Sequence, residues 1–202
     1  MGKRKRANEM TDFPEIIKDG DLELRRMPRT FESAKVFFDG MEKDRIKWVG
    51  IWLFENLNTP EDVLDWMKPF NEIGDDDTHW RLGRFYGIFS GGEYAGFAAL
   101  TNVNSVAKKA ELIYYLRQRF EGRGLMSRAL SLIENELFGR FDWNKLVISL
   151  DDRNEKSKQL AARLGYRQEG LFRDHFVKEG RLVNQLYMAR FRSDWAKENE
   201  NA

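Results

Sequence analysis

Gly122 and Gly124, in the segment RFEGRGLMSRAL, stand between an apolar run and a helix-like pattern. Glycine lets backbone approach a ligand closely, and a helix N-terminus favours negative charge. Arg117, Arg119 and Arg123 add charge-assisted donors to the same short stretch. Residues of these types at this spacing predict a pyrophosphate site. The plainer alternative is a tight loop that binds nothing. Two better-defined phosphate motifs do not fit. A dinucleotide fingerprint requires a third glycine where Ser127 stands, and the Gly-Lys-Ser or Gly-Lys-Thr ending of a Walker loop is missing.

Composition removes several other chemistries. The 202-residue chain has no cysteine, which excludes disulfides, thiolate metal sites and a cysteine nucleophile. His79 and His175 are too few and too far apart for a recognisable metal motif, so no metal is expected. With 34 Lys and Arg against 33 Asp and Glu, the chain lacks the basic excess of a dedicated nucleic-acid binder. No apolar run approaches the ~18 residues of a membrane span. The opening MGKRKRANEM lacks the apolar stretch of a secretory signal, and Arg6 stands where myristoylation requires Ser or Thr. Residues 1–20 are expected to be a solvated basic tail, with a nucleic-acid contact as its alternative. A cytoplasmic, reducing compartment fits this composition.

The elements that must position the glycine loop follow from periodicity. DLELRRM (21–27) alternates as a first strand, and FESAKVFFDG places Phe31, Ala34, Phe37 and Phe38 at helical spacing with Gly40 as a stop. DRIKWVGIWLFEN (44–56) reads as a core-facing helix. TPED opens another, with Thr59 as cap, Pro60 at the first helical position and Asp62 completing a capping box. Val63, Leu64, Met67 and Phe70 form its apolar face. NEIGDDDTH (71–79) is an acidic loop, either solvated surface or a patch for a cationic substrate.

Strands follow. RFYGIFS and YAGFAALTNV flank GGE as a hairpin, and AELIYYL (110–116) leads into the glycine loop. The next helix turns Leu125, Met126, Ala129, Leu130, Ile133 and Leu137 to one face, with Ser127, Arg128, Glu134 and Asn135 elsewhere. KLVISLD (145–151) is a strand. NEKSKQLAARLG is a helix with Leu160, Ala161 and Leu164 inward and Gly165 as its stop. A closing hairpin turns at KEGR. The order predicts an α+β domain over residues 21–192, with residues 193–202 as a C-terminal tail.

RFEGRG fits R-x-x-G-x-G, and NEKSKQLAARLGY follows about thirty residues later. With LELRRM, AGFAAL, AELIYYL and the final VNQLYMARF, these stretches resemble the GNAT superfamily of acetyl-CoA-dependent N-acetyltransferases. They are most similar to its Rim-type branch, which acetylates ribosomal-protein N-termini and related amines. The resemblance implies a mixed, largely antiparallel central sheet flanked by helices. It implies that Tyr115, Leu116 and Arg117 pair with the pantetheine arm of acetyl-CoA, and that backbone there stabilises the oxyanion. Arg119, Gly122, Arg123 and Gly124, with Leu125, Met126 and Ser127, would hold the pyrophosphate. Asn154 matches a residue that touches the cofactor arm, although a plain helix cap is an equal reading.

Many relatives carry a tyrosine seven residues after that asparagine to protonate the leaving thiolate. Here the position is Ala161, and Ser157 is the substitute expected in the Rim-type branch, against a plain helix-surface serine. The demand is mild, because a thiol of pKa ~8.5 leaves readily as thiolate. The attacking amine must be neutral, and Glu111, Asp174 and His175 are candidate bases. Asn184 stands where relatives often carry Asp. The expected acceptor is a peptide or protein N-terminus, with a polyamine or other small amine next. A coenzyme A-binding module without chemistry is the competing class. No membrane partner is expected, and the protein is expected to be a monomer or homodimer.

Overall fold

The computed structural model describes residues 13–42, 57–68, 84–178 and 180–200. The helix expected over 44–56, Phe70, the acidic loop 71–79 and the basic stretch near the start lie outside them. Eight strands form one sheet in the order β1-β2-β3-β4-β5-β6-β8-β7. They are β1 Ile16–Asp19, β2 Leu22–Arg26, β3 Phe85–Ser90, β4 Glu93–Asn104, β5 Lys109–Leu116, β6 Lys145–Asp151, β7 Arg167–Lys178 and β8 Arg181–Phe191. Every neighbouring pair is antiparallel except β5 and β6. The described helices are α1 Phe31–Gly40, α2 Pro60–Trp66, α3 Leu125–Glu134, α4 Glu155–Arg163 and α5 Arg192–Glu200. No helix among the described residues is long and apolar enough to cross a membrane.

The β5–β6 pairing positions the site. It covers only Lys109–Glu111 against Lys145–Val147. Beyond it, β5 continues on β4 as far as Leu116, and β6 continues on β8 as far as Asp151. The sheet therefore parts between two strands that each keep one partner. Alternation along β5 sends Ala110 and Leu112 into one core and Ile113 and Tyr115 into another. The first core holds the apolar faces of α3 and α4, and the second holds Phe37 of α1 and Val63 of α2.

Caps form as their residue types demand. Thr59 accepts from the Asp62 N–H while the Asp62 carboxylate accepts from the Thr59 N–H, and Pro60 opens α2. Thr30 caps α1 by accepting from the Ser33 N–H at 3.2 Å, without the reciprocal bond.

Three expectations are corrected. Residues 13–20 do not belong to a tail: Phe13 is buried, stacks on Phe141 at 5.5 Å, and leads into β1. Residues 192–200 are helical, with Trp195 packed on Phe138 at 5.9 Å. Glu134 does not lie off the apolar face of α3. It is fully buried, because Arg190 of β8 reaches into the core and donates to its carboxylate.

Candidate active site

A cavity of about 990 Å³ opens where the sheet parts. Tyr114, Tyr115 and Leu116 of β5 form one side, and Gly122, Gly124, Leu125, Met126 and Ser127 form the end. Asn154, Ser157 and Leu160 of α4 form the other side. These residues are remote in sequence, and the strand–helix–strand–helix order brings them to one place.

The glycine loop is built for its backbone. Gly122 and Gly124 have φ of 74° and 71°, where any other residue is strained. Gly124 is the N-cap of α3 and has no side chain to cap with, and the first turn carries no acidic residue. The first N–H groups of a ten-residue helix thus lie at the cavity without a capping acceptor. On the other wall, Asn154 caps α4 by accepting from the Ser157 N–H at 3.1 Å, so the capping reading holds for its Oδ1. Lys156 donates to Glu121 at 2.9 Å, bridging α4 and the loop.

The side chains of the three arginines turn to neighbours of their own. Arg117 turns back to donate to the Tyr94 carbonyl at 3.0 Å, and Arg119 pairs with Glu93. Arg123 lies 5.8 Å from the Phe120 ring centroid. None of the three lines the cavity; positive charge there comes from Arg153, Lys156 and Arg163. Arg153 is anchored by Asp151, a buried carboxylate that also accepts from Lys178 at 3.3 Å. Burial raises the Asp151 pKa, but its hydrogen bonds from Arg153 and Lys178 more than offset this and hold it down at about 2.

By alternation with Ala110, Leu112, Leu186 and Met188, Glu111 and Tyr187 lie on the other side of the sheet from the α3–α4 core. Both Glu111 oxygens accept hydrogen bonds, one from Asn102 at 2.6 Å and one from the Ser149 hydroxyl. Ser149 stands opposite Tyr187 in the β6–β8 register. Tyr187 meets Phe172 edge-on at 5.0 Å, and Phe172 meets His175 at 5.2 Å. Burial and the Glu111 charge both push the Tyr187 phenol up. Asp174 sits in a bulge of β7 at φ 48°, its N–H donating to Asn184 Oδ1 at 3.0 Å. Asn184 in turn donates to Asp152 at 2.8 Å, so amide chemistry is in use at the position where relatives often carry Asp. Contacts thus run from Glu111 to His175, whereas Asp174 is tied to Asn184 instead.

Residues 21–167 match the family described as "Acetyltransferase (GNAT) domain". The chain belongs to the GNAT acetyltransferase family. It is an acetyl-CoA-dependent N-acetyltransferase. Its relatives include the putative ribosomal N-acetyltransferase YdaF of Bacillus subtilis, 26% identical over 74% of this chain and 81% of that one. The spermidine N(1)-acetyltransferase of Escherichia coli is 27% identical over 69% of this chain and 75% of that one. Among solved structures, the ribosomal alpha-N-protein acetyltransferase RimL in complex with coenzyme A shares the fold with a TM-score of 0.73. It is 22% identical and covers 88% of this chain and 98% of its own.

Sequence reasoning missed several residues at the cavity of this acetyltransferase. Lys156, Gln159 and Arg163 line it on one α4 face, at the i, i+3, i+7 spacing of a single helix face. Tyr114 lines it too, beside Tyr115 on β5. Tyr187 carried a weaker signal: strand alternation sets it opposite its inward neighbours Leu186 and Met188.

Proposed function

We propose that this acetyltransferase moves the acetyl group of acetyl-CoA to the α-amine of a peptide or protein N-terminus. In this reading the pyrophosphate lies on the N–H groups from Gly122 to Ser127. The pantetheine arm runs along Tyr115, Leu116 and Arg117, where β5 has lost β6 and its edge is open for hydrogen bonding. The Nδ2 of Asn154 reaches the arm while its Oδ1 holds the cap. The thioester then sits in the gap of the sheet. The amine enters from the face that carries Glu111, Tyr187 and His175.

The amine nitrogen bonds to the acetyl carbon, the carbon–sulfur bond breaks, and sulfur takes the electron pair. The Ser157 hydroxyl donates to the thiolate as charge builds. The nitrogen's proton passes to water, guided by Glu111 or His175. The observation that carries the choice of acceptor is the state of Glu111. Each of its oxygens is already held by a donor, Asn102 or Ser149, so it keeps sites to order a water but is not free to swing onto a lysine-like ammonium. A terminal amine, with a pKa of roughly 7.7–8.0, is partly neutral without help. The ribosomal relatives favour the same acceptor.

A polyamine is the second reading, favoured by the spermidine relative. The cysteine-free composition suits a cytoplasmic enzyme, working as a monomer or homodimer. Thiol release from acetyl-CoA with N-terminal peptides, polyamines and aminoglycosides tests the proposal. Turnover of peptides supports it, and turnover of polyamines alone overturns it.

A further inference from the structure

One hydroxyl behind the wall of the cofactor cavity has no role in the reaction above. Tyr114 packs its ring against the core shared by α3 and α4 and lines the cavity with Ser157. Its phenolic oxygen is shut off from solvent and makes no hydrogen bond of normal length among the described residues. Buried hydroxyls almost always have a partner, and one without it asks for an explanation. The Ser157 hydroxyl lies near enough to favour the phenolate form, but burial is the larger effect and pushes the phenol up to about 12. Tyr114 therefore stays protonated through the neutral range and keeps its O–H as a donor. Ala161, buried at the position where many relatives carry the acidic tyrosine, supplies no polar group.

We propose that Tyr114 is a positioning residue for acyl transfer: its O–H donates to the Ser157 oxygen when acetyl-CoA fills the cavity, and so turns the serine O–H onto the departing sulfur. This rests on the reading of the cavity as the acetyl-CoA site. A serine at the first turn of a helix has competing backbone partners, so its rotamer has to be set by something else. A hydroxyl that accepts one hydrogen bond also donates the next more strongly. No proton crosses between the two side chains. The carbon–sulfur bond breaks with its electron pair on sulfur, and both hydroxyls keep their protons. The thiolate departs as such, and the proton from the amine leaves to water.

Tyr114→Phe, Ser157→Ala and the double variant test this in the full chain, since Phe keeps the ring and removes only the hydroxyl. Two quantities are read: kcat with KM for acetyl-CoA, and the pH at which the thiol of bound coenzyme A ionises, followed by thiolate absorbance without any acceptor present. Tyr114→Phe is expected to lower kcat roughly 3- to 10-fold, the loss of one hydrogen bond, and to leave KM within about twofold. The bound thiol should ionise at higher pH, and the double variant should be no slower than Ser157→Ala. Unchanged kcat and thiol ionisation in Tyr114→Phe would overturn the proposal, and so would losses that multiply in the double variant. Failure of the wild-type protein to bind coenzyme A in calorimetry is a separate result, which would remove the cavity reading itself.

Discussion

Ser157 is held by Asn154, and Asp151 by Arg153 and Lys178, and what each does depends on that anchoring. Ser157 has its N–H fixed by Asn154, so its hydroxyl projects from a set backbone. Ser157→Ala should lower kcat about 10- to 100-fold, the worth of one hydrogen bond to a charged group, with KM for acetyl-CoA nearly constant. Equal kcat in steady-state assays would leave water as the partner of the thiolate. Asp151 gives a pH prediction. Its carboxyl is held at about 2 against an ordinary 3.8, so its contribution to stability is present above pH 3.8 and lost as pH falls toward 2. Asp151→Asn should remove about 2 kcal/mol of that acid dependence, seen as a flatter acid limb in urea titrations. At this scale the sequence was informative where a residue's type alone states its need, as with the glycines, Asn154 and Ser157. It misplaced Glu134, whose burial depends on Arg190, a partner from β8 that no local pattern announces. Nor did it announce the partners of Arg117 and Arg119, whose side chains are held by the Tyr94 carbonyl and Glu93.

At the scale of elements, the glycine loop and the end of β5 do the positioning. A Cβ on Gly124 would meet nothing within 4 Å, so substitution there strains only the backbone. Gly124→Val should cost about 1–2 kcal/mol for its left-handed conformation. It should weaken acetyl-CoA roughly tenfold or more by keeping the ligand off the helix N-terminus; calorimetry on the folded variant would show this, and full affinity would place the pyrophosphate elsewhere. Gly96 is the opposite case. A Cβ there would lie 2.1 Å from the Tyr115 carbonyl oxygen, so β4 could not stay against β5. Gly96→Ala should cost upwards of about 2 kcal/mol, measured by thermal unfolding, and should disturb the wall of the cavity. Long periodic elements were legible for this reason: β5, α3 and α4 each repeat their apolar residues often enough to fix a face. β1 and α5 were not. The four residues of β1 bury just one side chain, and α5 has no fully buried residue, so each is held by tertiary contacts rather than by its own pattern.

Across the whole molecule, two cores share one sheet, and the parting of β5 from β6 lets chemistry on one face meet chemistry on the other. The buried Arg190 ties α3, β8 and α5 together through Glu134 and Glu198. Burial pushes the Glu134 carboxyl up to about 7 against the pull of Arg190. A raised acid stabilises fully below its ordinary 4.5, and that contribution fades as pH rises through 7. Arg190→Met should therefore cost about 3–5 kcal/mol, with the loss growing from pH 5 to 8 in thermal melts, and adding Glu134→Leu should recover most of it. Competition between two kinds of amine reads directly what enters from the open face of the sheet. A synthetic peptide with a free N-terminus and several internal lysines offers both kinds of amine in one molecule. Incubated with the enzyme and acetyl-CoA, and then fragmented in a mass spectrometer, it reports where the acetyl group lands. Acetyl is expected on the α-amine, with the lysines unmodified. Acetyl on lysine side chains, with the α-amine left free, would contradict this.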